Sequence, residues 1–554
     1  MELSGAQIII EELCAHGVDT VFGYPGGTVL PLYDELYKNS SRIKHIITAH
    51  EQGAAHAADG YARAKKGVGV VIATSGPGAT NLITGIANAY LDSVPMIAIT
   101  GNVCADLLGK DSFQEIYTGG ITQPITKHNF VVRNVEELEE TLNEAFFIAT
   151  SGRFGPVVID IPRDVQEHYC EYERAKFSFL EKKRESYDMN YAISAIKNSK
   201  RPYIYAGGGV IASGAQDELL ELSMRISAPV GLTMMGLTAL DTDYELNLGM
   251  CGMHGRYAST VAQSECDLLI CLGARFSDRG TGNVALFERG HTFLHIDIDI
   301  SEIGKNITSH ISICDDIKKV LRQLLSNLEY QQHDEWIDRI KRIEARDIIP
   351  KTDKFIPQNI IELTNEYFDE NSIIATDVGQ HQMWTMLYYK FRRTNTLLTS
   401  GGLGTMGYGL GAVIGGCIAK GNNKCLLITG DGSFGMNLNE LATAVSCELP
   451  IIIVIINNGV LGMVRQWQTM FYEKRYSQTT LNRKTDFVAV AKAFGADGYK
   501  VNNLDELRVA LDEISSKDRS YPIVIDCKID MDENVYPMVP AGGSVKNIIT
   551  RGSI

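Results

Sequence analysis

A carboxylate and an amide follow two consecutive apolar runs in the last third of the chain. Asp431 stands between glycines after the run 424–429, and Asn458 follows the run 451–456. Because neighbouring strands of a parallel sheet end at one edge, we expect these side chains to converge there. Mg²⁺ prefers oxygen ligands together with phosphate oxygens, and flanking glycines let phosphate approach the backbone. The spacing predicts a magnesium and diphosphate site.

Another carboxylate, Glu51, stands where an apolar run leads into a stretch of small residues. A glutamate at the start of a helix commonly does no more than stabilise the helix dipole. The segment 74–81, Thr-Ser-Gly-Pro-Gly-Ala-Thr-Asn, also follows an apolar run and opens a helical stretch. Taken alone, that segment is typical of a generic anion-binding loop. Neither feature identifies a ligand without its context.

The elements that position these residues follow a repeated pattern of short apolar runs and longer amphipathic stretches. This alternation is typical of βα units in parallel sheets. Charge-dense stretches at 170–190 and 329–357 interrupt the pattern and are interpreted as linkers. We therefore predict three doubly wound parallel-sheet α/β domains, at 1–180, 190–340 and 355–554. The predicted strands lie at 68–74, 95–100, 157–161, 203–206, 268–272, 293–296, 373–376, 424–429 and 451–456.

The net charge of the chain limits the classes of partner that it is expected to bind. The chain of 554 residues carries a formal net charge of −15, which argues against nucleic acid or an anionic membrane surface as a partner. The longest near-unbroken apolar run, 449–456, is far shorter than a membrane-spanning helix requires. The N-terminal residues show no secretory signal pattern, so we expect a cytoplasmic protein.

The pairing of Gly430-Asp431-Gly432 with Asn457-Asn458 resembles the cofactor signature of thiamin diphosphate (ThDP) enzymes. More specific motifs in all three parts of the chain resemble the catalytic subunits of the acetohydroxyacid synthase family. The resemblance covers essentially the whole chain. Its motifs lie at 21–27, 113–115, 126–129, 151–157, 273–279, 462–468 and 532–540.

This resemblance implies a fold, a reaction and partners. The three domains would be pyrimidine-binding, central FAD-binding and diphosphate-binding, with a C-terminal lid. The family decarboxylates pyruvate and joins the product to a second 2-keto acid, which is the first common step of branched-chain amino-acid biosynthesis. Pyruvate as acceptor gives 2-acetolactate, and 2-ketobutyrate gives 2-aceto-2-hydroxybutyrate. The cofactors would be ThDP, Mg²⁺ and FAD, with FAD undergoing no net redox change.

The resemblance also implies an assembly. A homodimer or tetramer would build each active site between two subunits. A small regulatory subunit would confer feedback by a branched-chain amino acid, although the sequence shows no docking site for it.

The resemblance assigns catalytic roles to Glu51, Gln114, Arg279 and Trp467. Glu51 would exchange a proton with the aminopyrimidine ring, and Gln114 would assist near the reacting carbon. Arg279 would bind the acceptor carboxylate bidentately. Trp467 would shape the acceptor pocket, where one methylene is worth only about 1–3 kcal/mol. The substrate-binding residues would be Gly27, Phe113, Arg279 and Trp467.

Cofactor-binding positions follow from the same resemblance. The ThDP set is Pro25, Gly76, Asn81, Val378, Gly379, Gln380, His381, Gly404, Met406, Gly432, Ser433 and Met463. The metal set is Asp431, Asn458 and Val460. The FAD set is Arg153, Gly207, Gly208, Gly209, Thr233, Met253, His254, Gly255, Gly273, Ala274, Arg275 and Asp297. Three positions depart from the family pattern: Arg163 replaces lysine, Ser277 replaces aspartate and Gly411 replaces proline.

Several alternatives stay open on the sequence. A FAD-free catabolic acetolactate synthase is disfavoured by the 273–279 motif and Trp467. A ThDP flavin-dependent pyruvate oxidase would pass electrons to FAD, and a simple decarboxylase would omit the second substrate. A catalytically inactive homologue would be expected to lose Glu51 or Asp431. A serine hydrolase is not supported, because Ala73 spoils a Gly-x-Ser-x-Gly motif around Ser75.

Overall fold

The computed structural model describes residues 1–175, 177–179, 187–346, 352–421 and 424–551. Within this part of the chain lie three six-stranded parallel sheets, one in each third, and one two-stranded antiparallel sheet. The predicted α/β class with three parallel sheets is thereby confirmed, and each predicted apolar run contains or overlaps a strand. Residues 176 and 180–186 of the first predicted linker, and residues 347–351 of the second, lie outside the described residues.

In the first third, the sheet order is β3-β2-β4-β5-β7-β6, and β1 pairs antiparallel with β8. The strands are β1 (Glu2–Ser4), β2 (Thr20–Tyr24), β3 (Lys44–Ile47), β4 (Gly69–Ala73), β5 (Met96–Asn102), β6 (His128–Val131), β7 (Pro156–Pro162) and β8 (Tyr169–Glu171). The helices are α1 (Gly5–Ala15), α2 (Leu30–Lys38), α3 (Glu51–Lys65), α4 (Pro77–Asn81), α5 (Ile83–Asp92), α6 (Thr118–Thr122), α7 (Leu138–Thr150) and α8 (Arg163–Glu167).

The central sheet has the order β11-β10-β9-β12-β13-β14. Its strands are β9 (Pro202–Ala206), β10 (Val230–Leu232), β11 (Asn247–Met250), β12 (Leu268–Leu272), β13 (Thr292–Asp297) and β14 (Ile311–Cys314). The helices are α9 (Met189–Asn198), α10 (Gly208–Ala212), α11 (Gln216–Arg225), α12 (Tyr257–Glu265), α13 (Asp278–Thr281), α14 (Val284–Phe287), α15 (Ile317–Leu325) and α16 (Asp334–Glu344).

The sheet of the last third has the order β16-β15-β17-β18-β20-β19. Its strands are β15 (Ile373–Thr376), β16 (Leu397–Leu398), β17 (Cys425–Gly430), β18 (Ile451–Asn457), β19 (Asp497–Val501) and β20 (Ile523–Lys528). The helices are α17 (Pro357–Asn365), α18 (Gln380–Tyr388), α19 (Tyr408–Ala419), α20 (Asp431–Asn437), α21 (Leu441–Ser446), α22 (Gly462–Phe471), α23 (Phe487–Ala493) and α24 (Leu504–Ser515).

Each large sheet has a topological switch point, where the chain leaves one strand to build first on one side and later on the other. These points lie between β2 and β4, between β9 and β12, and between β15 and β17. A crevice opens there at the carboxyl ends of the strands, and ligands of open α/β sheets bind in it. The fold therefore offers one ligand crevice per sheet.

One predicted linker is more structured than its composition suggests. Helix α16 lies within 329–357 and buries Trp336, Ile340 and Ile343 against the central third. The high charge density comes from the opposite, solvent-facing side of this amphipathic helix. A charge-dense stretch thus contains an element of the central core.

The first and last thirds meet through α3 and α19. Backbones approach so closely that a Cβ at Gly60 would overlap the backbone of Ala412, and one at Gly415 would overlap that of Ala57. Gly411 faces the backbone of Gly53 in the same contact. Small residues are required here because any larger side chain would push the helices apart.

In the described part of the chain, no helix is both long enough and apolar enough to cross a lipid bilayer.

Candidate active site

The predicted metal residues occupy neighbouring strand ends in the last sheet. Strands β17 and β18 are apolar and buried throughout, as expected for parallel strands covered on both faces, and Gly430 is in register with Ile456. Asp431 opens α20 directly after β17, and Asn458 directly follows β18. Val460, the third predicted ligand, donates its backbone N–H to Asn458 Oδ1 at 3.2 Å.

Both oxygen-bearing side chains are buried, with 6% of Asp431 and 7% of Asn458 exposed. Burial raises the pKa of Asp431 to about 6, because the apolar surroundings disfavour its charged form. A cation would offset that cost. A carboxylate, an amide oxygen and a backbone carbonyl form a hard donor set of the kind Mg²⁺ accepts. In the described residues, no cluster of three or more His, Cys, Asp and Glu side chains could hold a metal.

The segment 378–381 follows β15, across the switch point between β15 and β17. Ser433 donates its hydroxyl to the carbonyl of Val378 at 2.7 Å, which joins the ends of β15 and β17. Gly379 has a φ of 151°, a backbone conformation that glycine tolerates. Burial lowers the pKa of His381 to about 3, so the imidazole is neutral, and its Nε2 has no hydrogen-bond partner. This buried, unused nitrogen suits a ligand oxygen.

Gly404 and Met406 belong to a loop held by residues that sequence reasoning missed. The side chain of Asp92, from the first third, accepts the backbone N–H of Gly402 at 2.7 Å and that of Gly401 at 3.1 Å. Arg63 pairs with the same carboxylate at 3.0 Å. The sequence gives no signal for this contact, because Asp92 and the loop are more than 300 positions apart.

Glu51 is the first residue of α3, and 9% of it is exposed. Its Oε2 accepts the side-chain N–H of Asn81 at 2.9 Å, so both ThDP-side predictions meet in one hydrogen bond. A Cβ on Gly78 would lie 3.3 Å from Glu51 Oε1, so glycine leaves room beside the carboxylate. The predicted metal ligands Asp431, Asn458 and Val460 together form what we call the metal corner. In the described residues, no hydrogen bond or ion pair connects Glu51 with the metal corner of its own chain.

A second buried carboxylate supports the start of α3. Glu440 follows α20 in the last third and accepts the backbone N–H of Ala49 at 3.2 Å and the hydroxyl of Thr443 at 2.6 Å. Burial raises its pKa. Sequence reasoning missed Glu440, because only the packing of the first and last thirds brings it to the helix that carries Glu51.

The first crevice brings the remaining pyrimidine-side predictions together. The turn 25–28 and the loop 74–78 are joined by the Thr28 hydroxyl, which accepts the backbone N–H of Ser75 at 3.0 Å. Gly76 has a φ of 56°, and a Cβ there would meet the backbone of Gln114. Phe113 is 87% exposed. In one chain, therefore, the predicted entrance wall faces solvent.

The structure also brings together the two predicted acceptor residues. The Arg279 guanidinium of the central third lies 5.8 Å from the Trp467 ring centroid of the last third, within cation–π distance. Arg279 Nη1 also contacts Met253 Sδ at 3.4 Å. Trp467 packs edge-to-face against Phe471. A cation and an aromatic ring thus lie side by side where the central and last thirds meet.

Four of the predicted FAD glycines, at 207–209 and 273, lie at the switch point of the central sheet, and packing explains most of them. A Cβ at Gly207 would overlap the backbone of Gly273, and one at Gly209 would meet the same residue. The two strand ends therefore need glycine to approach each other. Gly208 begins α10, and Ala274 follows Gly273 at the same strand ends. Gly255 instead follows β11, the edge strand of the sheet.

Some of the polar and charged side chains around this crevice already have hydrogen-bond partners. Arg153 bonds Glu302 at 2.8 Å and Ser93 at 2.8 Å, and Thr233 caps Gly236, so these two predictions already have partners. Burial raises the pKa of Asp297 to about 6 and lowers that of His254 to about 4.

Arg275 lacks such partners within the described part of the chain. Burial lowers the pKa of Arg275, whose guanidinium has no hydrogen bond or ion pair with any described residue. A half-buried cation without a partner suits a phosphate group.

Three family models match the chain. They are the N-terminal TPP binding domain of thiamine pyrophosphate enzymes at residues 3–121, the central domain at 189–324 and the C-terminal TPP binding domain at 377–527. Each model covers one of the three parallel sheets in whole or large part.

Full-length relatives agree with these models. The probable acetolactate synthase large subunit of Methanocaldococcus jannaschii is 45% identical, over 99% of this chain and 95% of that protein. The isozyme 2 large subunit of Escherichia coli is 41% identical, over 99% of this chain and 100% of that protein. The large subunit of Lactococcus lactis is 41% identical, over 97% and 95%. The chain belongs to the acetolactate synthase large-subunit family of thiamine pyrophosphate enzymes and is a ThDP-dependent carboligase.

Proposed function

We propose that this enzyme decarboxylates pyruvate and joins the resulting two-carbon unit to a second 2-keto acid, either pyruvate or 2-ketobutyrate. The observation that carries the proposal is the convergence of Asp431 and Asn458 at adjacent strand ends, beside the unpartnered His381 Nε2. When bound, ThDP would supply a nucleophilic carbon for the keto group. The chain's own residues then place the cofactor, the proton and the acceptor.

The metal corner would hold Mg²⁺ through Asp431, Asn458 and the carbonyl of Val460. His381 would donate a hydrogen bond from Nε2 to a diphosphate oxygen. Glu51 would hold a proton next to the pyrimidine ring, with its carboxylate oriented by Asn81 at 2.9 Å. A carboxylate positioned for proton transfer typically accelerates a reaction by about 10²-fold to 10⁴-fold.

The acceptor would bind between Arg279 and Trp467. The guanidinium would take the acceptor carboxylate, and the indole would contact its alkyl group. Because Arg279 is already oriented over the ring, the carboxylate and the alkyl group can be recognised together. Replacing Arg279 with alanine should therefore weaken carboligation far more than cofactor binding, and unchanged acceptor kinetics would remove Arg279 from the site.

FAD would occupy the central crevice, and Arg275 supports this part of the proposal. Its guanidinium is half-buried without a partner in the described residues, as a phosphate-binding cation would be before ligand binding. We assign FAD a structural role, because the proposed reaction needs no net electron transfer.

We further propose a homo-oligomer in which a second copy completes each site. The exposed Phe113 supports this arrangement. The relatives are named large subunits, which also supports a smaller regulatory partner.

The deciding experiment is 2-acetolactate formation from pyruvate by the purified chain with ThDP and Mg²⁺, with and without FAD. Product that requires FAD, without net flavin reduction, is the expected result. Product without FAD would indicate the catabolic type. Bleaching of the flavin by pyruvate would indicate an oxidase, and absence of product would overturn the proposal for the isolated chain.

A further inference from the structure

A row of buried side-chain amides leads away from the metal corner. Asn458 donates its side-chain N–H to Gln380 Oε1 at 3.1 Å. Gln380 in turn donates to Gln466 Oε1 at 3.0 Å. Gln380 and Gln466 are 4% and 1% exposed. Buried amides bonded to one another hold their side chains in single orientations, because any break leaves a polar group without a partner.

Gln466 closes this row onto the C-terminal segment 533–539. Its side-chain N–H donates to the carbonyl of Val535 at 3.0 Å, and its Oε1 accepts the backbone N–H of Val535 at 2.9 Å. Gln380 adds a bond to the carbonyl of Glu533 at 3.0 Å. The segment is therefore fixed by two amide side chains, and Val535 is completely buried.

The same segment reaches the acceptor pocket. The backbone N–H of Val539 donates to the carbonyl of Met253 at 2.8 Å, and the N–H of Met253 donates to the carbonyl of Arg279 at 2.8 Å. The row of amides also adjoins Trp467 at its Gln466 end, because Trp467 is the next residue on α22. The metal corner and both acceptor residues are thus connected through one glutamine.

The start of α22 is shaped to this row. A Cβ on Gly462 would overlap Gln380 Oε1 and come within 2.8 Å of Asn458 Nδ2. A glycine at this position lets the amides cross directly over the helix start. The helix that carries Trp467 is therefore packed against the metal-side amides without an intervening side chain.

We propose that Gln466 is a positioning residue for acceptor selection. It fixes segment 533–539 to the metal-side loop and so sets the spacing of Arg279 and Trp467. The inference rests on the proposed function, in which those two residues bind the acceptor. Gln466 itself touches neither cofactor nor substrate in this account.

The test compares three variants. Gln466→Met keeps side-chain volume but removes both bonds to Val535. Gln466→Glu keeps the acceptor oxygen and loses the donor. Gln468→Met is the matched control, because Gln468 lies on the same helix and bonds Ser477 and Thr479 instead of the C-terminal segment.

Two readouts are used. Hydrogen exchange of the peptide containing Val535 is measured on the cofactor-free protein, and the ratio of the two products is measured with pyruvate and 2-ketobutyrate in competition. For Gln466→Met we expect about tenfold faster exchange at Val535, from the lost hydrogen bonds. We also expect at least about threefold weaker discrimination between the acceptors, with ThDP affinity unchanged within about twofold. Gln466→Glu should also speed exchange and weaken discrimination, because its second carboxylate oxygen would face the Val535 carbonyl without a proton to donate. Gln468→Met should match wild type.

Unchanged exchange at Val535 in Gln466→Met, or changed exchange with an unchanged product ratio, would overturn the role of Gln466. An equal effect from Gln468→Met would also overturn it, since any disturbance of α22 would then suffice. If Gln466→Met does not fold, Gln466→Glu decides by the same two readouts. A wild-type chain that forms neither product would overturn the proposed function instead, so the two failures are distinguishable.

Discussion

The metal corner of the last sheet and the acceptor edge near Arg279 differ sharply in how complete they are within one chain. Asp431, Asn458 and His381 are each less than 8% exposed and lie on elements fixed by neighbouring parallel strands. At the acceptor edge, the Arg279 side chain is 61% exposed, and Phe113 in the first third is 87% exposed. One half of the site is enclosed, and the other half is open.

This difference follows from the elements that build each half. Strand register fixes the ends of β17 and β18 relative to each other, so the metal residues need no further partner. Arg279 and Trp467 come from the central and last thirds, so their spacing depends on the contact between those two parts of the chain. Phe113 comes from the first third and faces solvent. The open half is therefore where a second copy and the second substrate would complete the pocket.

The largest effect is expected from a change at Glu51, which in our account acts on the cofactor held by the metal corner of another copy. Glu51→Gln should lower turnover by about 10²–10⁴ while ThDP binding persists, because the proton-holding carboxyl is lost but the side chain keeps its shape. Steady-state product formation and calorimetric ThDP binding measure both. Glu362→Gln, an exposed glutamate on α17, is the control. Near-normal turnover in Glu51→Gln would remove its assigned role.

A change in the enclosed half should affect metal affinity first. Asp431→Asn should raise the Mg²⁺ concentration needed for half-maximal activity by about 10-fold to 100-fold, since a charged ligand becomes neutral. A Mg²⁺ titration of activity checks this, with Asp505→Asn at the exposed start of α24 as control. An unaltered Mg²⁺ requirement would show that the ion binds elsewhere.

In the open half, Trp467→Leu should change selectivity more than rate. Loss of the indole removes both the apolar wall and its contact with Arg279, so discrimination between 2-ketobutyrate and pyruvate should fall by about tenfold. Competition between the two acceptors measures the ratio directly. A preserved ratio would contradict the placement of the acceptor beside Trp467.

The smallest effect on turnover is expected at the contact between α3 and α19, which joins the first and last thirds of the chain. In Gly60→Ala, the new methyl group would overlap the backbone of Ala412 and lower the free energy of unfolding by about 1–3 kcal/mol. Calorimetric melting measures the loss. Gly67→Ala serves as control, because its Cβ would meet only Lys65 Cγ at 3.8 Å. Equal melting of both variants would argue against tight packing of α3 on α19.

Much of the fold was predictable because the apolar runs at 424–429 and 451–456 are continuous and end in glycine or asparagine. Such runs predict buried parallel strands and place Asp431 and Asn458 at one edge. The predicted sites depended on family resemblance wherever the residues themselves carry no pattern, as with Arg279 and Trp467. Periodicity cannot show that these two side chains meet.

Other features were beyond sequence reasoning for physical reasons. Asp92 and Glu440 act across the contact between the first and last thirds, so their partners are hundreds of positions away. The amide row through Gln466 depends on side-chain rotamers and on the path of segment 533–539. Helix α16 was missed because its polar face dominates the local composition.

The central claim is that Glu51 of one copy serves the metal corner of another, and mixed assemblies test it most directly. Glu51→Gln and Asp431→Asn chains, each nearly inactive alone under limiting Mg²⁺, are co-expressed, and native mass spectrometry verifies that mixed dimers form. If sites are shared, half of the dimers are mixed and one of their two sites is intact, so activity should recover to about a quarter of wild type. Mixed dimers without recovered activity would contradict the account and place both residues in one chain's site.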